Sequence, residues 1–154
     1  MEDSRLRIKQ ALAHESSDRI PVDFGSTAVT GIHCRVVEAL REYYKLPFKP
    51  VRIVDSFQML GEIDEELADA MGVDCVGVGG SHDIFDHDVT RMHEQLTPWG
   101  QKVLVSEQLS LDTDKEGDVY VYAGGDTRYP PSAVMPGGCF FINAIELSLI
   151  HISE

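Results

Sequence analysis

The chain has 154 residues, of which 43% are hydrophobic and 25% charged, a balance typical of a globular protein and not of a disordered or membrane-spanning one. Acidic residues outnumber basic ones by 26 to 13, and the formal net charge of -13 argues against nucleic acids and anionic membranes as partners. The chain start lacks a signal-peptide layout, and no apolar run approaches the roughly 18 residues of a membrane span. We therefore expect a cytoplasmic protein.

The first third of the chain predicts a helix, a strand and a second helix. Apolar residues recur at helical spacing over residues 4–14, which predicts a surface helix. The short, apolar and β-branched segment 19–25 predicts a strand, and residues 26–31 predict the loop that follows it. Helical spacing returns over residues 32–44 and ends before Pro47.

The middle of the chain predicts a further helix and strand. Residues 58–71 place apolar side chains on one helical face and acidic ones on the other, and Gly72 stands where a helix C-cap glycine belongs. The compact apolar run 73–78 follows and predicts a strand. Alternating helices and strands favour a parallel sheet in an α/β fold, because parallel neighbours require a crossover connection.

The last third of the chain has a different character. Residues 102–106 and 118–122 predict two strands, and the turn-forming residues 114–117 favour an antiparallel excursion here. The glycine- and proline-rich stretch 123–138 predicts an ordered loop or lid.

Five segments of this chain carry a family pattern, in the order 18–25, 54–60, 72–78, 125–132 and 135–141. Together they resemble the opening of proteins in the uroporphyrinogen decarboxylase superfamily. The last two look like a segment of its uncharacterised, corrinoid methyltransferase-like branch. The resemblance implies a (β/α)₈ TIM barrel with an N-terminal helical extension, which catalyses either porphyrinogen decarboxylation or methyl transfer between a corrinoid and a thiol.

A complete barrel of this type needs roughly 250 residues, so the resemblance implies a truncated barrel. We expect residues 1–146 to be its N-terminal part, with the antiparallel excursion near residues 100–122. Residues 147–154 resemble a peptide translated from sequencing-adapter DNA and are predicted to be a non-native tail. Because an incomplete barrel leaves strand edges unpaired, we expect this chain to be inactive and poorly soluble.

Active sites of such barrels lie at the C-terminal ends of the strands, so the candidate residues follow the first two predicted strands. The predicted substrate-binding residues are Asp23, Phe24, Gly25, Ser26, Thr27, Gly80, Ser81 and His82. Asp83 is the predicted catalytic residue, as the nearest counterpart of an aspartate that the decarboxylase branch carries after strand two. The alternative for Asp83 is a loop carboxylate that caps the next helix.

Which of the two reactions we predict depends on whether arginines follow the first strand. The decarboxylase branch holds substrate carboxylates with an arginine-rich stretch after strand one, whereas residues 24–29 carry no positive charge. We therefore favour methyl transfer from a corrinoid or small methyl donor to a thiol. Uroporphyrinogen III decarboxylation, with a tetrapyrrole substrate, is one alternative. A binding module without catalysis, serving a small-molecule ligand, is the second.

Cofactors are expected only in a longer parent protein. In the methyltransferase branch, zinc ligands of a His-x-Cys pattern lie in the later half of the barrel, so zinc, a corrinoid and a corrinoid-protein partner belong to that parent. Within this chain we expect no metal. The run 82–88 holds two imidazoles and three carboxylates, and a solvated loop with local caps is favoured there over a metal or substrate site.

Overall fold

A computed structural model of the chain describes residues 3–145. Its three helices are α1 (Ser4–Leu12), α2 (Cys34–Tyr43) and α3 (Glu65–Met71). Its eight strands are β1 (Ile32–His33), β2 (Val51–Asp55), β3 (Leu60–Gly61), β4 (Met92–Leu96), β5 (Lys102–Ser106), β6 (Val119–Val121), β7 (Ala133–Met135) and β8 (Asn143–Ala144). Within residues 3–145, no helix has the length and apolarity needed to cross a membrane.

The strands form two small, open sheets. The larger one has the order β1-β3-β2-β5-β4, and the smaller one has the order β6-β7-β8. Neighbouring strands are antiparallel, except that β2 and β5 are parallel, with Val51 opposite Val103. The described residues therefore have a mixed α/β architecture.

The prediction of a truncated (β/α)₈ barrel is wrong. A (β/α)₈ barrel needs parallel strands that are hydrogen-bonded to neighbours on both sides. Segments 19–25 and 73–78, predicted as its first two strands, are extended but belong to neither sheet. One backbone hydrogen bond, from Asp74 N to Val22 O at 2.8 Å, joins them. The predicted non-native tail, residues 147–154, lies outside the described residues.

The predicted helix 58–71 forms only in its second half, as α3. A turn precedes it, in which the Asp55 carboxylate accepts a hydrogen bond from Gln58 N at 2.8 Å and Met59 adopts a positive φ of 52°. This turn reverses the chain, so β3 pairs back against β2 as a hairpin. Local turn chemistry thus replaces the first helical turns that the apolar spacing indicated.

Strands β5 and β6 form where the sequence predicts strands. They do not pair with each other: β5 pairs with β4 and β2, and β6 pairs with β7. The stretch 123–138, predicted as a loop or lid, contains β7, which is the central strand of the smaller sheet. Antiparallel pairing is therefore present in this region, but with other partners than expected.

The larger part of the hydrophobic core lies where α2 packs against the five-stranded sheet, and Leu67 of α3 is buried in the same cluster. Alternate residues of β2 and β5 point inward, as expected for strands with one buried face. The buried apolar side chains of this layer are Cys34, Val37, Val51, Ile53, Met59, Leu67, Val103 and Val105. The smaller sheet adds Val119, Val121, Ala133, Met135 and Ile142.

A buried carboxylate joins α1 to the two extended segments. The Asp74 side chain has no exposed surface and is contacted by the guanidinium groups of Arg7 and Arg19, while Val22 N donates to it at 2.9 Å. Arg7 also contacts Asp18 at 2.7 Å. Burial alone favours the neutral acid, but these donors hold the pKa of Asp74 down at about 2. The carboxylate is therefore ionised and shared between two cations.

We expect Asp74→Asn to destabilise the fold by about 2 kcal/mol, because it leaves two guanidinium groups without their shared anion. Urea unfolding of the variant measures this loss as a lower midpoint. Asp69→Asn, on an exposed side chain, is the control and should leave the midpoint unchanged. Equal midpoints for the two variants would show that Asp74 does not hold these segments together.

The extended segment 73–80 carries an unpaired apolar edge. Val76 is 92% exposed and Val78 is fully exposed, and Ile20 on the neighbouring segment is 84% exposed. Extended backbone with exposed β-branched side chains is a template for pairing with another chain.

We therefore expect the protein to associate with itself in a concentration-dependent way, in agreement with the poor solubility expected from the sequence. Replacing Val76 and Val78 together by Lys should reduce this association, because the two charges repel an incoming strand. Light scattering over a concentration series is the measurement, and Val29→Lys, at another exposed valine, is the control. A wild-type protein that stays monomeric at all concentrations would contradict this expectation.

Candidate functional site

A cleft with a volume of about 1020 Å³ lies next to the two extended segments. One wall is the loop 24–28, and a second is the segment 73–80. The ends of β2 and β3 and the first turns of α3 form the floor. The cleft thus lies at the place where the sequence predicts a site, although no barrel surrounds it.

Six of the predicted substrate-binding residues line this cleft: Phe24, Gly25, Ser26, Thr27, Gly80 and His82. Asp23, Ser81 and Asp83 are not part of its lining. A role in binding or catalysis stays a prediction for all nine of these residues.

Asp23 shapes the first wall from behind. Its carboxylate accepts hydrogen bonds from Ser26 Oγ at 2.5 Å and from Ser26 N at 3.2 Å. Gly25 takes a φ of 83°, which favours glycine, and its N–H donates to Thr30 O at 2.9 Å. These bonds fold residues 23–30 into a tight loop with its backbone turned toward the second wall.

Gly77 lets the two walls approach each other. A Cβ atom at this position would lie 2.5 Å from the carbonyl oxygen of Ser26, well inside van der Waals contact. Only a residue without a side chain fits there. At Gly79, two residues further along the same wall, a Cβ would meet nothing within 4 Å.

We expect Gly77→Ala to lower the free energy of unfolding by about 1–3 kcal/mol, because the new methyl group forces the two walls apart. Gly79→Ala is the matched control and should be neutral or slightly stabilising, by about 0.5 kcal/mol, since it only restricts the unfolded chain. Thermal unfolding of both variants tests the packing of the cleft. Equal effects would show that Ser26 and Gly77 are not in contact.

Carboxylates dominate the charge of the cleft. Its acidic lining residues are Asp55, Glu62, Asp64, Glu65 and Asp69. The one arginine in the lining, Arg52, contacts Glu62 at 3.4 Å and donates to the carbonyl of Val89 at 2.5 Å. The cleft therefore presents a net negative charge.

Three of these carboxylates are free of cationic partners among the described residues. Asp64 is neutralised, because Arg41 lies 2.6 Å and Lys49 2.8 Å from it. Glu65 and Asp69 are exposed, and Asp55 accepts only the local hydrogen bond of its own turn. A ligand in the cleft meets the charges of Asp55, Glu65 and Asp69.

Asp83 lies beneath the cleft, and its carboxylate is fully engaged. Oδ1 accepts from the backbone N–H of Phe85 at 2.9 Å and of His87 at 3.0 Å. Oδ2 accepts from Ser56 Oγ and faces the His87 ring. Burial alone raises the pKa of Asp83, but these contacts bring it to about 2. Asp83 therefore caps the backbone of its own loop and not that of a following helix.

Ser56 and His87 belong to this cluster and were not among the predicted site residues. The sequence signal for His87 was its place in the acidic run 82–88. The run does not converge on one point, because Asp83 and His87 point inward whereas His82 and Asp86 are exposed. Among the described residues, no three His, Cys, Asp or Glu side chains form a metal-binding group.

No family model, curated protein or solved structure matches this chain. The resemblance to the uroporphyrinogen decarboxylase superfamily therefore stays a prediction. The prediction of a TIM-barrel methyltransferase, or of a TIM-barrel enzyme of porphyrin biosynthesis, is wrong. It depended on a barrel, whereas the two sheets are small and open.

Proposed function

We propose that this chain binds a small organic cation in the cleft between loop 24–28 and segment 73–80. The observation that carries the proposal is the excess of free carboxylates facing one cleft of about 1020 Å³. Ligand sites in proteins are concave, and a few charged groups in them fix the ligand's orientation.

The charge of the lining selects the class of ligand. Glu65 and Asp69 attract an ammonium group, and the single arginine, Arg52, already contacts Glu62. An anion with several carboxylates would meet repulsion and no free cation in the described lining. This argues against a tetrapyrrole with acetate side chains as the ligand.

The residues of the cleft favour binding over catalysis. Burial, together with Asp23 and Asp74, raises the pKa of the Cys75 thiol, which lines the cleft, so this thiol is a poor nucleophile at neutral pH. His82 is exposed, and its Nδ1 lies 3.0 Å from the hydroxyl of Ser81, the preceding residue. Neither Cys75 nor His82 is thus a nucleophile activated by a buried base.

Isothermal titration with spermidine, and with glutarate as an anion of opposite charge, tests the proposal at low ionic strength. We expect spermidine to bind and glutarate not to bind. The double variant Glu65→Gln/Asp69→Asn should bind spermidine about tenfold more weakly, since each exposed charge contact contributes about 0.7 kcal/mol. Added salt should weaken binding to the wild-type protein, because the charges are exposed.

The matched control is Glu15→Gln/Glu116→Gln, which removes the same net charge from exposed positions outside the cleft. Equal weakening in the two double variants would mean that spermidine follows the overall charge of -13 and not the cleft. Either that result or the absence of binding to the wild-type protein would refute the proposal.

A further inference from the structure

A histidine with no exposed surface lies behind the rim of the cleft. The ring of His87 is packed against Phe85, with the two ring centroids 5.9 Å apart. Its Nε2 lies 2.8 Å from the carbonyl oxygen of Tyr122, which follows β6. Its Nδ1 lies 3.4 Å from Oδ2 of Asp83. Both ring nitrogens therefore face oxygen atoms.

The chemistry of these oxygens fixes the protonation of the ring. A carbonyl oxygen only accepts, so Nε2 carries a hydrogen and donates it to Tyr122. The Asp83 carboxylate is ionised and also only accepts. Nδ1 makes no hydrogen bond in the described part of the chain, although Asp83 Oδ2 is near, and a bare lone pair there would face the carboxylate. The favourable state of His87 is therefore the imidazolium, with a hydrogen on both nitrogens.

Among the described residues, no positively charged group acts on the His87 ring. The charged groups that act on His87 are the carboxylates of Asp83 and Asp86, both in its own loop. The turn after β2 contributes the neutral Ser56 hydroxyl, which donates to Asp83, and the end of β6 contributes the Tyr122 carbonyl. The cluster is a buried ion pair with neutral groups on its remaining sides.

We propose that the ion pair of His87 and Asp83 holds loop 81–89 in place and releases it when His87 loses its proton. Through this pair the loop is anchored to the β2–β3 turn and to the end of β6. Further hydrogen bonds, from Gly124 N to Phe85 O and from Ser106 Oγ to Asp88 O, hold the loop independently of the pair, so the release concerns the segment around His87. After deprotonation, the Nδ1 lone pair of His87 and the Asp83 carboxylate repel each other while both are buried. Movement of the loop into water relieves this repulsion.

Release of the loop changes the cleft, because His82 and Val89 belong to its lining. Arg52 also holds the carbonyl of Val89. The inference concerns the loop itself and does not depend on which ligand the cleft binds.

The direction of the pH effect follows from the two groups. Burial alone lowers the pKa of His87, but Asp83, the Tyr122 carbonyl and Asp86 raise it above its ordinary value of 6.5. The ion pair thus stabilises the loop fully below pH 6.5, and this stabilisation is lost as the pH rises through the raised pKa. On the acid side it is lost as the pH falls from the ordinary Asp value of 3.8 toward about 2.

Amide hydrogen exchange and ¹⁵N NMR of the His87 ring at pH 5.5 and 8.5 test this inference on the whole chain. At pH 5.5 both ring nitrogens should be protonated. Protection factors of the Phe85, His87 and Val89 amides, corrected for intrinsic exchange, should fall on going to pH 8.5. The fall should be about tenfold for each unit by which the measured pKa of His87 exceeds 6.5. Amides of the β4–β5 ladder serve as the internal reference and should not change.

Two variants separate this mechanism from a general loss of structure. His87→Gln should have low loop protection at both pH values, while His82→Gln, at an exposed histidine of the same loop, should behave as the wild type. Asp86→Asn leaves the buried pair intact, and asparagine tolerates the φ of 61° at this position. Because this variant removes one carboxylate that favours the protonated ring, the loss of loop protection should occur at lower pH. A neutral His87 ring at pH 5.5, loop protection independent of pH, or an unshifted transition in Asp86→Asn would each overturn the inference.

Discussion

The position of the cleft depends on the carboxylate of Asp74. Neither of the extended segments that form the cleft walls belongs to a sheet, so ladder hydrogen bonds do not fix them. Asp74 supplies that restraint instead, because it accepts from Arg7 on α1, from Arg19 and from the backbone of Val22 at once. Burial of an ionised carboxylate costs free energy, and only a set of donors such as this one offsets that cost. The two cleft walls are therefore held together by ionic contacts and by the close approach at Gly77.

The sequence predicted those parts of the fold that depend on local chemistry. Helices α1 and α2 lie within the predicted segments, and Gly72 ends α3 in the left-handed conformation expected of a C-cap glycine. Strand pairing depends on distant residues, and the pairing predicted from the sequence was wrong. Strand β2 was missed because Arg52 and the exposed Val54 interrupt its apolar pattern, and its partner β5 lies far along the chain. Segment 73–78 has the composition of a strand but no partner among residues 3–145.

The same distinction applies to the candidate site. Residues after the two extended segments meet at the cleft because those segments lie side by side, which the order of the motifs already indicated. The surroundings of Asp83 could not be derived in this way. Its partner Ser56 comes from the β2–β3 turn and the Tyr122 carbonyl from the end of β6, and nothing in the run 82–88 specifies either contact. Whether a carboxylate faces a ligand or a buried imidazole is decided by tertiary packing.

The parallel pairing of β2 with β5 has a consequence for the order of folding. Val51 lies opposite Val103, 52 positions further along the chain, so this ladder closes a long loop before it gains any hydrogen bond. The β4–β5 hairpin closes through the short turn at Thr97 and Gln101 and forms early by comparison. We therefore expect the two halves of the larger sheet to join more slowly than the hairpin forms, and until they join the apolar face of β5 stays open to water.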